Sequence, residues 1–174
     1  MPHDNNKLYL IDANIVIHAH DYYYHMQRVP EFWSWLLFHA KSGVVKMPFE
    51  TMDEVKGGKE ALHAQWIKSK QIKEQLLFEE GFDGALLNHV IDNGYAPDLN
   101  DVELDKIGAD PFLISYAMAD PSNRVVISNE VSKPSKQRGN RKVPDVCREL
   151  GLQCHNVYYL LRELNFTTKW QAAL

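Results

Sequence analysis

Leu8-Tyr9-Leu10-Ile11 is apolar at all four positions, and this constrains the fold more than any other feature of the chain. A strand with one solvated face alternates apolar and polar side chains. A short run without alternation must be covered on both faces, as in a parallel sheet flanked by helices. Three further short strands are expected at "VVKMP" (44–48), "RVVIS" (124–128) and "LQCHNV" (152–157).

The segments between these strands carry helix signals. Pro30 opens "PEFWSWLLFHAKSG", whose Phe32, Trp33, Leu36, Leu37 and Ala40 share a helical face, and Gly43 suits the stop. From "FETMDEVKGG" onward the chain is helical, with Leu62, Trp66, Ile72 and Leu76 in a loose stripe. "ALLNHVIDNG" is another helix, and "YAPDLNDVELDKIG" a loop or short helix. Asp110-Pro111 begins "PFLISYAMA" with the acid as N-cap and proline at the first helical position. "VPDVCRELG" and "YYLLREL" complete the helices. Alternating strands and helices indicate a single α/β domain over 1–174, with a mainly parallel sheet of about four strands. Residues 57–100 form a mostly helical excursion, either a cap or an elaborated crossover.

A chain of 174 residues can build a core without disulfides. No apolar run approaches the roughly 20 residues that span a bilayer, and "MPHDNNK" lacks a secretory pattern. Cys147 and Cys154 have no metal-ligand spacing and read as reduced thiols, so a cytoplasmic, membrane-free protein is expected. The net charge of −4 argues against electrostatic coating of nucleic acid but leaves room for a local basic patch. "SKPSKQRGNRK" supplies one, with Lys133, Lys136, Arg138, Arg141 and Lys142 and no acid among them.

In an open parallel sheet, ligands bind beyond the carboxyl ends of the strands. Asp12 directly follows the first strand, Glu50 and Glu54 follow the second, and Glu130 follows the third. Asp110 starts the helix leading back to that third strand. Each has a bland alternative: an Asx-turn for Asp12 and Asn14, a solvated helix position for Glu54, an N-cap for Asp110, and neutralisation of the basic loop for Glu130. Together they describe a carboxylate cluster, which repels itself unless a cation is present. Mg²⁺ or Mn²⁺ takes such all-oxygen sites and suits phosphodiester hydrolysis.

"YLIDANIVI", "PFETMDEVKGG", "GADPFLISYAMA" and "VVISNE" resemble, in order, the four acidic motifs of the PIN-domain nuclease superfamily. The closing "KVPDVCRELGLQCHNVYYLLREL" and the "VPEFWSWL" helix are similar to a stand-alone, VapC-toxin-like PIN-like subfamily, DUF4411. The resemblance spans roughly residues 7–165. It implies a three-layer α/β/α PIN-like fold and a Mg²⁺- or Mn²⁺-dependent endoribonuclease binding one or two ions. Partners implied are RNA, a cognate antitoxin and a second copy in a homodimer; housekeeping RNA processing and a non-catalytic binding relative are the alternatives. Asp12, Glu54 and Asp110 match the first three acids, with Glu50 competing for the second. Glu130 stands where many PIN domains have Asp. Asn14 and Ser128 match accessory polar positions, and the basic loop is expected to grip flanking RNA phosphates.

A dehalogenase-type phosphatase needs a second acid two residues after the first, and that position is Asn14. His18, His20 and His25 around "DYYYH" lack zinc-motif spacing and read as surface or packed side chains; the tyrosines read as a core edge or a dimer contact. Trp33, Trp35 and Phe38 read as helix packing, with Trp35 a candidate interface residue.

Overall fold

The computed structural model describes residues 7–57 and 61–174. The first six residues, including most of the segment read for a targeting signal, and Gly58 of the glycine pair lie outside that range.

Five parallel strands form the central sheet in the order β3-β2-β1-β4-β5. They are β1 (Leu8–Ile11), β2 (Val45–Pro48), β3 (Leu77–Phe78), β4 (Arg124–Ile127) and β5 (Cys154–His155). The centre is tightly registered: Tyr9 pairs with Val45 on one side and Val125 on the other. The expectation of about four strands misses β3, which lies inside the excursion. "LF" is only two residues long and carries no turn punctuation, so periodicity could not isolate it.

That strand resolves what the excursion is. After β2 the chain runs through α3 (Phe49–Lys56), α4 (Leu62–Lys68) and α5 (Lys70–Leu76) before entering β3. The stripe read as continuous is two helices, broken at Ser69, whose Oγ accepts the Ile72 N–H at 3.3 Å. The first part of the excursion is therefore a crossover to an edge strand. The second part, α6 (Gly84–Val90), returns along the sheet and ends in the π-helical turn Ile91–Tyr95. The polar loop 95–108 contains α7 (Asp101–Ile107), started by a capping box between Asn100 and Glu103.

The remaining helices are α1 (Ala13–His18), α2 (Pro30–Lys41), α8 (Asp110–Met118), α9 (Val143–Glu149) and α10 (Val157–Glu163). Successive strand residues point to opposite faces. Tyr9, Ile11, Val125 and Ile127 join the core under α1, α2 and α10, whereas Leu10 and Val126 join the core under α8 and α9. Both faces are covered, which is why β1 is apolar throughout. The result is the three-layer α/β/α arrangement. Among the described residues, no helix is long and apolar enough to cross a membrane.

Trp35 is not at an interface. It is 1% exposed, and its Nε1 donates to the Leu164 carbonyl at 3.2 Å, which ties α2 to the end of α10. Cys147 and Cys154 are both free thiols.

Leu113 of α8 is wholly buried in the layer that carries Asp110. Leu113→Ala is expected to cost about 2–5 kcal/mol. A urea titration should show a lower midpoint with an unchanged slope.

Candidate active site

The strand order reverses between β1 and β4, so the crevice beyond their carboxyl ends is the topological switch point of the sheet. Asp12 leaves β1 there, and Ser128-Asn129-Glu130 leave β4 beside it. The Asp12 N–H donates to the Ile127 carbonyl at 2.9 Å, holding the two strand ends together.

Asp12 is 4% exposed, yet its carboxylate does not cap the helix that it precedes. Its Oδ2 accepts hydrogen bonds from Ser128 Oγ at 2.6 Å and Asn14 Nδ2 at 2.7 Å. Asn14 is fixed in turn, since its Oδ1 accepts the Asn129 N–H at 2.8 Å. The Asx-turn alternative thus gives way to a cross-strand network in which Asn14 and Ser128 orient one buried carboxylate. Asn129, which the sequence reading passed over, links this network outward. Its Nδ2 donates to Tyr23 OH at 2.9 Å and its Oδ1 accepts the Val157 N–H at 3.0 Å.

Glu54 on α3 reaches across to the start of α8, where its Oε1 accepts the Ala109 N–H at 3.1 Å. Gly108 lies against it: φ is +50°, and a Cβ there would come within 2.9 Å of Glu54 Oε1. Glu50, the rival for this role, instead accepts from Tyr116 OH at 3.3 Å. The structure therefore separates the two, and Glu54 is the one that faces the other acids. Asp110 is the first residue of α8, with Ala109 at the N-cap, and its side chain makes no capping bond. The expected N-cap role is thus corrected. Proline at the next position keeps the helix start without it.

The acids near the switch point act on one another electrostatically. Burial pushes the Asp12 carboxyl up to about 6 against the pull of Ser128, and the charges of Glu54 and Glu130 push the same way. Asp110 is raised further still, first by burial and then by Asp12, Glu130 and Glu54, with Lys142 opposing. Glu54 is raised by burial. The four acids drawn from separate segments thus act on one another through charge, although among the described residues no three of them bring carboxylate oxygens within 4.8 Å of one another. Tyr95 joins them unforeseen. Its buried hydroxyl has no hydrogen-bond partner among the described residues, and burial first, then the charges of Asp110, Glu130 and Asp12 among others, raise its pKa. It ends a π-helical turn, a distortion frequent at functional sites.

All four donors are carboxylates, which fits a hard divalent ion, and the orphaned Tyr95 hydroxyl fits the water such an ion retains. Glu130 is the least free of the four. Lys142 Nζ donates to its Oε1 at 3.0 Å and the Val143 N–H to its Oε2 at 2.8 Å. It anchors the following loop as well as facing Asp110.

The basic loop differs most from its expected role. Arg138 pairs with Asp98 at 2.7 Å and Glu103 at 2.9 Å, and Arg141 binds the Gly94 carbonyl. Arg138, Arg141 and Lys142 spend their charge inside the protein, holding the loop against α7, the Gly94 turn and Glu130. Only Lys133 and Lys136 of the five are left as exposed loop cations among the described residues. The sequence hides this because the partners lie 12 to 47 positions away. A cavity of about 340 Å³ opens beside Glu130 instead, lined by Ser128, Ser132, His155, Asn156, Tyr159 and Arg162 among others. His155 and Tyr159 stack there with centroids 3.8 Å apart.

A second group uses different chemistry. His20, Asp21 and His63 each offer a ligand atom within 4.8 Å of the others, the one such trio among the described residues. His20 was read as merely packed or exposed; Asp21 and His63 carried no motif at all.

The family described as a domain of unknown function, DUF4411, matches residues 9–168. No curated protein and no solved structure matches the chain.

Raised carboxyl pKa values mean that the metal-free folded state holds protons more tightly than the unfolded chain. Its stability is full below the ordinary carboxylate range and falls as pH rises through the raised values. Asp110→Asn removes the repulsion without breaking a hydrogen bond. In EDTA at pH 8 it should raise Tm by about 2–4 °C per kcal/mol relieved, and the gain should vanish near pH 3.

Proposed function

The chain belongs to the DUF4411 family, and we propose that it is a divalent-metal-dependent endoribonuclease of the PIN type. The observation that carries this reading is the placing of Asp12, Glu54 and Asp110 about the sheet's switch point, all three raised first by burial, with Glu54 and Glu130 acting on Asp12 and with Asp12, Glu130 and Glu54 acting on Asp110. A structural salt-bridge network would bring cations to these acids. Here the nearest contributing cation, Lys142, is bonded to Glu130.

Asp12, Glu54 and Asp110 would hold one or two Mg²⁺ or Mn²⁺ ions, with Glu130 bordering the second position. The ion supplies charge neutralisation at the phosphate and lowers the pKa of water. The chain does the positioning. Ser128 and Asn14 fix the Asp12 carboxylate, the Ala109 N–H fixes Glu54, and Asp110 accepts a proton from the approaching water. That water's oxygen forms the new bond to phosphorus, and the bond to the 3′ oxygen breaks. The proton taken up by Asp110 passes to the 3′ oxygen, which leaves as a hydroxyl, and the other product carries the 5′-phosphate.

The substrate groove in this reading is the cavity beside Glu130 rather than the basic loop. Arg162 offers a phosphate donor, and the His155–Tyr159 stack offers an aromatic face for an unpaired base. Lys133 and Lys136 lie on the exposed loop and extend the field. A toxin role, with a cognate antitoxin and a homodimer, rests on the PIN resemblance alone.

Single-stranded RNA incubated with Mn²⁺ should be cut to 5′-phosphate products, and EDTA should abolish cutting. Asp12→Asn and Asp110→Asn should each lower kcat at least about 100-fold while remaining folded. Arg162→Ala should mainly raise KM. Wild-type cleavage by both acid variants would overturn the assignment.

A further inference from the structure

The trio of His20, Asp21 and His63 lies apart from the acid pocket in ligand type and in its supporting elements. His20 and Asp21 belong to the π-helical turn Ala19–Tyr23 that follows α1, and His63 to the first turn of α4. His63 is 6% exposed, and its Nδ1 has no hydrogen-bond partner among the described residues. The nearest acidic oxygen, Asp21 Oδ1, stands 3.9 Å away, beyond hydrogen-bond range. A buried imidazole nitrogen left unbonded costs free energy, and the side chains around it offer ligands rather than a single donor. His20 packs its ring 5.4 Å from that of His63 and 4.3 Å from that of His25, with the Trp33 ring at 6.5 Å. The Met26 N–H donates to His20 Nδ1 at 3.5 Å, a bond long and weak enough for an ion to displace.

Two imidazole nitrogens and one carboxylate oxygen form a borderline-soft donor set. Zn²⁺ and its first-row neighbours bind such sets, whereas Mg²⁺ keeps to oxygen. Three protein ligands leave a fourth tetrahedral position open, as in zinc sites that carry water. The Asp21 side chain is 42% exposed, which gives an ion a route in and leaves room for that water. The π-helical winding of the turn carries His20 and Asp21, adjacent in sequence, with ligand atoms of both near His63.

We propose that His20, Asp21 and His63 form a zinc-class binding site that fastens the turn after α1 to the first turn of α4. Bound metal joins the segment following Asp12 to the crossover leading to β3. It would stabilise that junction by mass action, since the unfolded chain does not hold the trio together. The site does not depend on nuclease activity.

The test uses the full chain, stripped with EDTA and titrated with ZnCl₂ or CoCl₂. An Asp12→Asn/Asp110→Asn background removes ion uptake at the acid pocket. This background should still bind one Zn²⁺ per chain, and zinc should raise its Tm. Adding His20→Gln or Asp21→Asn should weaken binding by more than the roughly 10–100-fold expected for an outer-shell partner, and erase the Tm shift. His63→Gln should do the same where it folds; the two more exposed positions decide the matter if it does not. On the wild-type chain, Co²⁺ should give visible bands of a nitrogen-containing site that disappear in His20→Gln. Failure of the background to bind zinc, or zinc binding untouched by His20→Gln and Asp21→Asn, would overturn the proposal. Absence of metal-dependent RNA cleavage by the wild-type chain, with zinc binding intact, would count against the nuclease reading alone.

Discussion

Burial of the Asp12 carboxylate between two strand ends is the interaction on which the candidate site depends. An unpaired buried charge is costly, and two side-chain hydrogen bonds offset only part of the penalty. Ser128 and Asn14 fix where the oxygens point, and the remaining destabilisation appears as a raised pKa. Asp110 and Glu54 then add to the repulsion instead of relieving it. A protein selected for stability alone would replace one of them; retaining all three is the pattern expected where function needs the charge.

The fold supplies this arrangement through simple geometry. A five-stranded parallel sheet whose order reverses between β1 and β4 leaves a crevice at their carboxyl ends. Three of the acids enter it from the ends of strands or the helices next to them, and α8 brings Asp110 in from the opposite layer. Gly108 and the Ala109 N–H are local details that let α3 and α8 approach closely enough for Glu54 to join. The two proposed ion sites then differ in a way that ligand chemistry makes separable: oxygen only at the crevice, nitrogen-rich beside α4.

The apolar run of β1, the proline-led helices and the strand-terminal acids were legible because each is a local pattern. The placing of Asp12, Glu54 and Glu130 after strand ends and of Asp110 at a helix start followed from one topological rule applied to them. What could not be read depended on distant pairing. Arg138 looks like a free cation until Asp98 and Glu103 are seen beside it, and His63 carries no signal until the fold sets it against Asp21. Tyr95 was hidden likewise, as a tyrosine in a polar loop that turns out to be buried. The edge strand β3 escaped because two residues show no period.

Diffraction from crystals soaked in Mn²⁺, recorded at a wavelength where manganese scatters anomalously, addresses the central claim directly. The account predicts an anomalous peak bounded by the carboxylates of Asp12 and Asp110, with Glu54 turned toward it. A manganese-saturated crystal with no peak there, and with those carboxylates in the positions described above, would contradict it.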